Sequence, residues 1–376
     1  VADFALIDTA ASLGALAGEL AGLSPSTLYL DTEFDAGPRG TTLCLVQLAV
    51  GGATFLIDAL AVDLRPLAGA LGAPGAEWVL HAGRQDVPLL CEKLGLAGPP
   101  RVFDTQVAWA LTSAEANVAL AYIEFCLLGV RAGKGHQADD WRRRPLPAGQ
   151  LAYAARDVAH LPQIRERLAE KLAERGRLAI AYDASREAVL PPSDAGAPLT
   201  LGSFRNAWQL DARGQAALVA LLAWAHRLPP HEEQPSDTKT WLSLAARLPS
   251  SVDDLARIKG VPRRFSEKYG AELVPLLRRA AAEAETGSFV PLEPQPYATH
   301  DELEARAWLE LVRARACRLL DAAPEVALPN RLVDRMRSAL LDRVEPARLL
   351  DLAPGFRREL LGPVWAQAVQ AAGSLR

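Results

Sequence analysis

The chain has 376 residues, half of them apolar, with 41 Lys+Arg against 45 Asp+Glu and a formal net charge of −4. At roughly 150 residues per domain this predicts two or three domains, each able to bury a core. The balance excludes a strongly basic, histone-like binder, and the composition excludes disorder outside short linkers; phosphate binding then depends on local patches of charge.

Residues 3–24 read as a short strand and an amphipathic helix. Residues 28–34 form an apolar strand that ends in acids. Residues 43–50 and 53–58 are two more strands, joined through Gly51-Gly52 as a two-residue hairpin turn. A short helix over 64–71 precedes a strand at 78–81, a helix at 84–94 and a strand at 101–104. From there to about 188 the pattern is helical, including a helix near 148–172. Strands first, with helices between and after them, predict an α/β domain with a mixed sheet.

Pro191, Pro192 and Pro198 mark a linker over 190–203, and a second Pro-rich linker covers 289–296. The helical segments after each share an outline: a long helix with a Trp (Trp224, Trp308), then a Leu-to-Gly element (Leu255 to Gly260; Leu349 to Gly355). This suggests a diverged duplication. The expected organisation is an α/β domain over 1–190 and two small all-α domains over 200–288 and 298–376.

Cys44, Cys91, Cys126 and Cys317 have neither CxxC nor Cys/His ligand spacing, so reduced cytoplasmic thiols are expected, not disulfides or zinc. No stretch reaches the roughly 20 apolar residues of a membrane span, and the first residues lack the basic region of a signal peptide. No membrane partner is expected. Residues 1–190 hold 17 basic and 22 acidic side chains, the remainder 24 and 23. Bound cations are one reason for an acidic domain to meet a polyanion.

Asp31 and Glu33 lie two apart on one strand, so both side chains point to one face. Like charges on a buried strand need a proton, a basic partner or a metal, and Mg²⁺ or Mn²⁺ suits carboxylate oxygens. Alone, the pair also fits a solvated strand end. Asp86 opens a helix, where an acid complements the dipole. Tyr153 and Asp157 sit at i, i+4 on one helical face.

Taken together and in this order, these residues resemble the DEDD 3′→5′ exonucleases. The carrying motifs are Asp31-Thr32-Glu33-Phe34, then His81-Ala82-Gly83 with Asp86, then Tyr153-Ala154-Ala155 with Asp157-Val158. The Tyr four residues before the last Asp is similar to the DEDDy branch. Further stretches resemble the ribonuclease D family within it: Val46-Gln47-Leu48-Ala49, Phe103-Asp104-Thr105-Gln106, Lys134, Asp140-Trp141, Arg144-Pro145-Leu146 and Gln150-Leu151. The two helical segments resemble HRDC modules, with residues 226–237 acidic where those modules are Arg-rich.

The resemblance implies an RNase H-like exonuclease domain with a mixed sheet, followed by two HRDC-like domains. It implies hydrolysis of RNA from the 3′ end to nucleoside 5′-monophosphates, in tRNA or other structured RNA maturation, by a cytoplasmic monomer. Asp31, Glu33, Asp86 and Asp157 would hold two divalent cations, Mg²⁺ or Mn²⁺, that activate the attacking water and stabilise the leaving 3′-oxygen. Tyr153 would position that water, because a phenol titrating near about 10 is a poor base at neutral pH. Candidate substrate contacts are Gln47, Lys134, Trp141, Arg142, Arg143 and Arg144; a buried strand Gln and a solvated basic turn are the alternatives. His81 reads as a support for the site and Asp104 as a helix cap. A DNA exonuclease of the same fold and a silent RNA-binding scaffold are the competing functions.

Overall fold

The computed structural model describes residues 3–23, 26–37, 40–131, 139–190, 199–204, 206–228, 238–287, 289–293 and 299–373. They fall into two compact units: Val1–Pro191 together with His300–Arg376, and Pro192–Thr299.

The first unit is built on a six-stranded sheet in the order β1-β4-β3-β2-β5-β6. Its strands are β1 (Ala5–Ile7), β2 (Thr27–Gly37), β3 (Gly40–Val50), β4 (Ala53–Asp58), β5 (Glu77–Leu80) and β6 (Arg101–Asp104). The β2, β3 and β4 strands pair antiparallel, whereas β1 runs parallel to β4, and β5 to β2 and β6. The mixed sheet expected from the sequence is therefore present. The β3–β4 turn needs positive φ at both central residues, and Gly51 (59°) and Gly52 (85°) supply it.

Alternation sorts the β2 side chains. Leu28 and Leu30 are fully buried with Val46, Leu48, Ile57, Trp78 and Leu80, under α1 (Ala10–Leu23), the single-turn α2 (Ala68–Leu71) and α3 (Asp86–Leu94). Tyr29, Asp31 and Glu33 point to the opposite face. That face is covered by α4 (Thr105–Ala110), α5 (Leu120–Leu128), α6 (Ala148–Ala159), α7 (Leu161–Glu174) and α8 (Leu178–Val189). The helix expected over 148–172 is broken at His160. Pro162 lies in the first turn of α7, where its missing N–H is tolerated, but its ring would clash with the carbonyl four residues back in a continuous helix.

The last helices are α13 (His300–Leu320), α14 (Pro324–Ala327), α15 (Asn330–Leu341) and α16 (Phe356–Ala372), after α9–α12 of the second unit. They share one apolar cluster with the sheet domain: Trp308, Leu309, Leu361 and Trp365 join Phe103, Leu161 and Leu168. Polar ties accompany it. The Ala323 N–H donates to the Ala110 carbonyl at 2.7 Å, and the buried Arg357 guanidinium meets Glu187 at 2.6 Å and the Val326 carbonyl at 3.0 Å.

The second unit has its own core. There α9 (Ala212–Ala225), α10 (Thr238–Arg247), α11 (Val252–Ala256) and α12 (Arg263–Glu285) bury Trp224, Trp241, Phe265 and Leu277. Gly260 and Gly355, the glycines of the repeated outline, both have positive φ just ahead of a long helix. The acidic stretch after His226 lies, from residue 229 on, outside the described residues. No described helix is long and apolar enough to cross a membrane.

Glu77, 1% exposed, sits at the end of the sheet away from Asp31. It accepts from Arg165 Nε (2.9 Å), Arg101 Nη2 (2.9 Å) and Tyr182 Oη (2.7 Å), joining β5 to β6, α7 and α8. Glu77→Ala leaves the partly buried Arg165 without its anion. We expect a loss of about 3 kcal/mol in urea unfolding; an unchanged midpoint would show that this cluster does not hold the sheet edge to its helices.

Candidate active site

The site lies midway along β2, just past Tyr29, where the pairing with β5 ends and the chain of β5 turns towards α3. Asp31 and Glu33 leave the sheet on one face, and α6 brings Asp157 over them. Ligand oxygens of Asp31, Glu33 and Asp157 all lie within 4.8 Å of one another. Helix α6 can come this close because Ala154 and Ala155, both fully buried, present small side chains to the sheet. Tyr153, one turn before Asp157, donates its hydroxyl to the Asp157 carboxylate.

The fourth acid stands apart. Asp86, in the first turn of α3, is buried and accepts the Thr32 hydroxyl from the other face of β2. It is close enough to repel Asp31 but is not among the three converging carboxylates. The turn that presents it is held by Asp104. One Asp104 oxygen accepts from Ala82 N (3.0 Å) and Gln106 N (2.8 Å), and the other from Gly83 N (2.9 Å). Ala82 has φ of 57°, a left-handed conformation costing about 1 kcal/mol or more for a residue with a Cβ; the Asp104 bond holds it there. Asp104 thus caps α4 and braces the Asp86 turn. His81 is engaged on both ring nitrogens, by Thr105 Oγ1 and the Val118 carbonyl at 2.9 Å each, so it supports the site without facing it as a ligand.

Burial and mutual repulsion raise every acid here. Burial pushes Asp31 well above the carboxylate range, reinforced by Asp86, Asp157 and Glu33. Glu33 rises to about 8 through burial, then Asp157 and Asp86. Asp157 rises to about 7 through burial, against the pull of Arg156 and Tyr153. Burial takes Asp86 to about 6, opposed by the Thr32 hydroxyl. Among the described residues, no Lys or Arg forms an ion pair with Asp31, Glu33 or Asp157. Three hard oxygen donors converging without a basic partner fit a divalent cation.

The candidate substrate contacts separate. Arg144 is saturated: Nε and Nη2 hold Asp58 at 2.5 and 2.6 Å, Nη2 also reaches the Cys44 carbonyl (2.9 Å), and Nη1 donates to the Trp141 (2.7 Å) and Arg143 (2.8 Å) carbonyls. All five guanidinium N–H groups are used, so it clasps the 139–146 segment onto β3 and β4 and has no donor left for phosphate. Trp141 is 3% exposed, packed with Leu45, Leu56 and Tyr153, so its ring is not a surface for stacking bases. The sequence reads a basic turn, and the acceptors that turn it inward come from β3, β4 and the turn's own backbone. Arg142 is exposed and pairs with Asp35 at 3.0 Å. Arg143 is exposed, and among the described residues its side chain forms no ion pair or hydrogen bond. Gln47 is fully buried opposite Asp31. Lys134 lies outside the described residues. Thr32, which holds Asp86, was not singled out by the sequence, since it belongs to the opposite face of the strand.

A fold of this kind with converging carboxylates beside a tyrosine defines a 3′→5′ exonuclease, and the comparisons with known proteins agree. A family model described as 3′-5′ exonuclease matches residues 4–173. Ribonuclease D of Gluconacetobacter diazotrophicus is 34% identical over 347 residues, 89% of this chain and 85% of the relative. Ribonuclease D of Pseudomonas paraeruginosa is 30% identical over 363 residues, 92% of each. The crystal structure of Escherichia coli RNase D superposes with a TM-score of 0.74 at 25% identity, covering 98% of this chain and 99% of that one. The chain belongs to the ribonuclease D family of metal-dependent 3′→5′ exoribonucleases.

Without a cation, the folded protein keeps protons that the unfolded chain has released, so it loses stability as pH rises from about 4 to about 8. A cation displaces those protons, and its stabilising effect grows over the same range. The rise in Tm on adding Mg²⁺ should therefore be small at pH 5 and largest near pH 8; a pH-independent rise would contradict this origin. Asp31→Asn, by relieving repulsion, should raise the Tm of the metal-free protein while lowering the Mg²⁺ response.

The Arg144 clasp makes a separate prediction. Arg144→Met should cost about 3 kcal/mol, because the nearly buried Asp58 loses its partner. KM for RNA should stay unchanged in the folded fraction at low temperature; a raised KM with unaltered stability would instead mark Arg144 as a phosphate contact.

Proposed function

We propose that the protein removes nucleotides singly from RNA 3′ ends and releases nucleoside 5′-monophosphates, with structured RNA such as tRNA precursors as its substrate. The observation that carries this reading is the convergence of Asp31, Glu33 and Asp157 with Tyr153 bonded to Asp157. The Escherichia coli relative is described as an exoribonuclease involved in structured RNA processing, which supports the choice of RNA.

In this reading Asp31, Glu33, Asp157 and Asp86 hold two divalent cations, Mg²⁺ or Mn²⁺. Such ions, when bound, polarise the scissile phosphate and make water a stronger nucleophile. Tyr153 orients the attacking water through its hydroxyl, with Asp157 as the acceptor that fixes its direction. The Trp141 ring, 6.4 Å away between centroids, keeps the Tyr153 ring in one position. Arg143 and Arg142 bind phosphates of the approaching strand, together with Lys134. Phosphate contacts position the substrate without reading its sequence, as a trimming enzyme requires.

The same proposal divides the chain into an exonuclease domain over 1–190 and HRDC-like modules over 200–288 and 298–376 that guide RNA. The separate core of the first module supports its boundary; the second shares its core with the exonuclease domain. The same reading makes the protein a cytoplasmic monomer, with its four cysteines as free thiols.

The test is nucleotide release from 3′-labelled RNA, beside matched DNA, with Mg²⁺, Mn²⁺ or EDTA. Metal-dependent release from RNA, abolished in Asp157→Ala, is the expected result. Faster release from DNA would replace the substrate class, and no release from either would leave a binding role only. Arg143→Ala should raise KM for RNA on the order of 5-fold and leave kcat unchanged.

A further inference from the structure

Gln47 is an anomaly in the middle of β3. Its side chain is fully buried, and neither Oε1 nor Nε2 has a hydrogen-bond partner among the described residues. Burying an amide without partners costs about 1–3 kcal/mol for each orphaned group. A leucine would fit the surroundings better. Along the same face of β3 its neighbours are Leu45 and Ala49, and across on β4 its register partner is Leu56. Above it, α6 contributes Ala154 and Ala155 to the packing against Leu45 and Leu56.

One neighbour in the register is polar. On β2, Gln47 is paired with Asp31. Directly opposed residues of an antiparallel pair have Cβ atoms about 4.5–5.5 Å apart on one face, which brings a Gln amide within reach of an Asp carboxylate. Glu33, one step further along that face, is opposite Leu45.

We infer that Gln47 is a positioning residue for Asp31: when a cation occupies the site, the Gln47 Nε2–H group donates to the Asp31 oxygen that does not face the ion. Carboxylates that bind metals are themselves held by hydrogen bonds, and the loss of such a bond weakens metal binding by about 10- to 100-fold. The amide suits this task because it is neutral: a Lys or Arg would satisfy Asp31 outright and compete with the cation, whereas an amide aims the carboxylate and leaves its charge available. The inference rests on the reading of Asp31 as a cation ligand. It makes Gln47 part of the carboxylate frame and not a contact of the nucleotide.

The experiment compares wild-type protein with Gln47→Met and Gln47→Leu, full-length and stripped of metal. Mn²⁺ binding is measured by calorimetric titration, Tm with and without Mn²⁺, and kcat and KM on 3′-labelled RNA. Both variants remove an orphaned amide from an apolar setting, so metal-free Tm should equal or exceed that of wild type. Mn²⁺ affinity should fall about 10-fold. At a fixed, limiting Mn²⁺ concentration kcat should fall with it, recovering as Mn²⁺ is raised, and KM for RNA should not move. Unchanged Mn²⁺ affinity in both variants overturns the inference. A raised KM with unchanged Mn²⁺ affinity also overturns it and makes Gln47 a nucleotide contact. If wild-type protein itself shows no saturable Mn²⁺ binding, the carboxylate reading fails and the inference falls with it, an outcome distinct from a defect confined to the variants.

Discussion

The structure depends on keeping three carboxylates close together against their own repulsion. Asp31, Glu33 and Asp157 lie in a partly buried place where like charges interact strongly, because little water screens them. Nothing about a carboxylate favours that placement. It is imposed by the pleat of β2, which sends Asp31 and Glu33 to one side, and by α6, whose Ala154 and Ala155 let it lie low on the sheet. The raised proton affinities measure the opposition these elements overcome. A cation converts the opposition into attraction, so the frame is most at ease when it is loaded.

The surroundings show what holding such a frame requires. Asp86 is kept nearby but aside, its carboxylate engaged by Thr32 from the far face of the strand. Its turn is braced by Asp104, which also starts α4. The segment leading into α6 is clasped by Arg144, whose charge is matched by the buried Asp58. Arg144 uses every one of its N–H groups, and Asp104 accepts on both oxygens. That is how a low-dielectric region tolerates them: a satisfied network rigidifies, while an unsatisfied member would weaken it.

Much of this was legible in the chain because it follows from short periods. Alternation in β2 gave the face of Asp31 and Glu33, the i, i+4 relation gave Tyr153 with Asp157, and Gly51-Gly52 marked the hairpin. What was hidden depends on partners distant in sequence. Pro162 is visible in the chain, but the helical period runs on through it and hides the break at His160. Trp141 and Arg144 sit in a turn that reads as basic and solvated; only the positions of Cys44, Asp58 and Tyr153 draw them inward. Thr32 is an ordinary strand residue until α3 brings Asp86 to it.

The return of the C-terminal helices to the first domain has a consequence for synthesis. Residues up to 191 leave the ribosome first, but α4 and α8 pack against α14 and α16, which follow the whole intervening unit of residues 192–299. At about 5–20 residues per second, that interval lasts roughly 5–20 s. During it the N-terminal domain exists with α4 and α8 lacking part of their final packing. The nuclease is therefore finished late in translation, and a ribosome that stalls within the intervening unit leaves a domain with an uncovered apolar face, marked for chaperones or proteases.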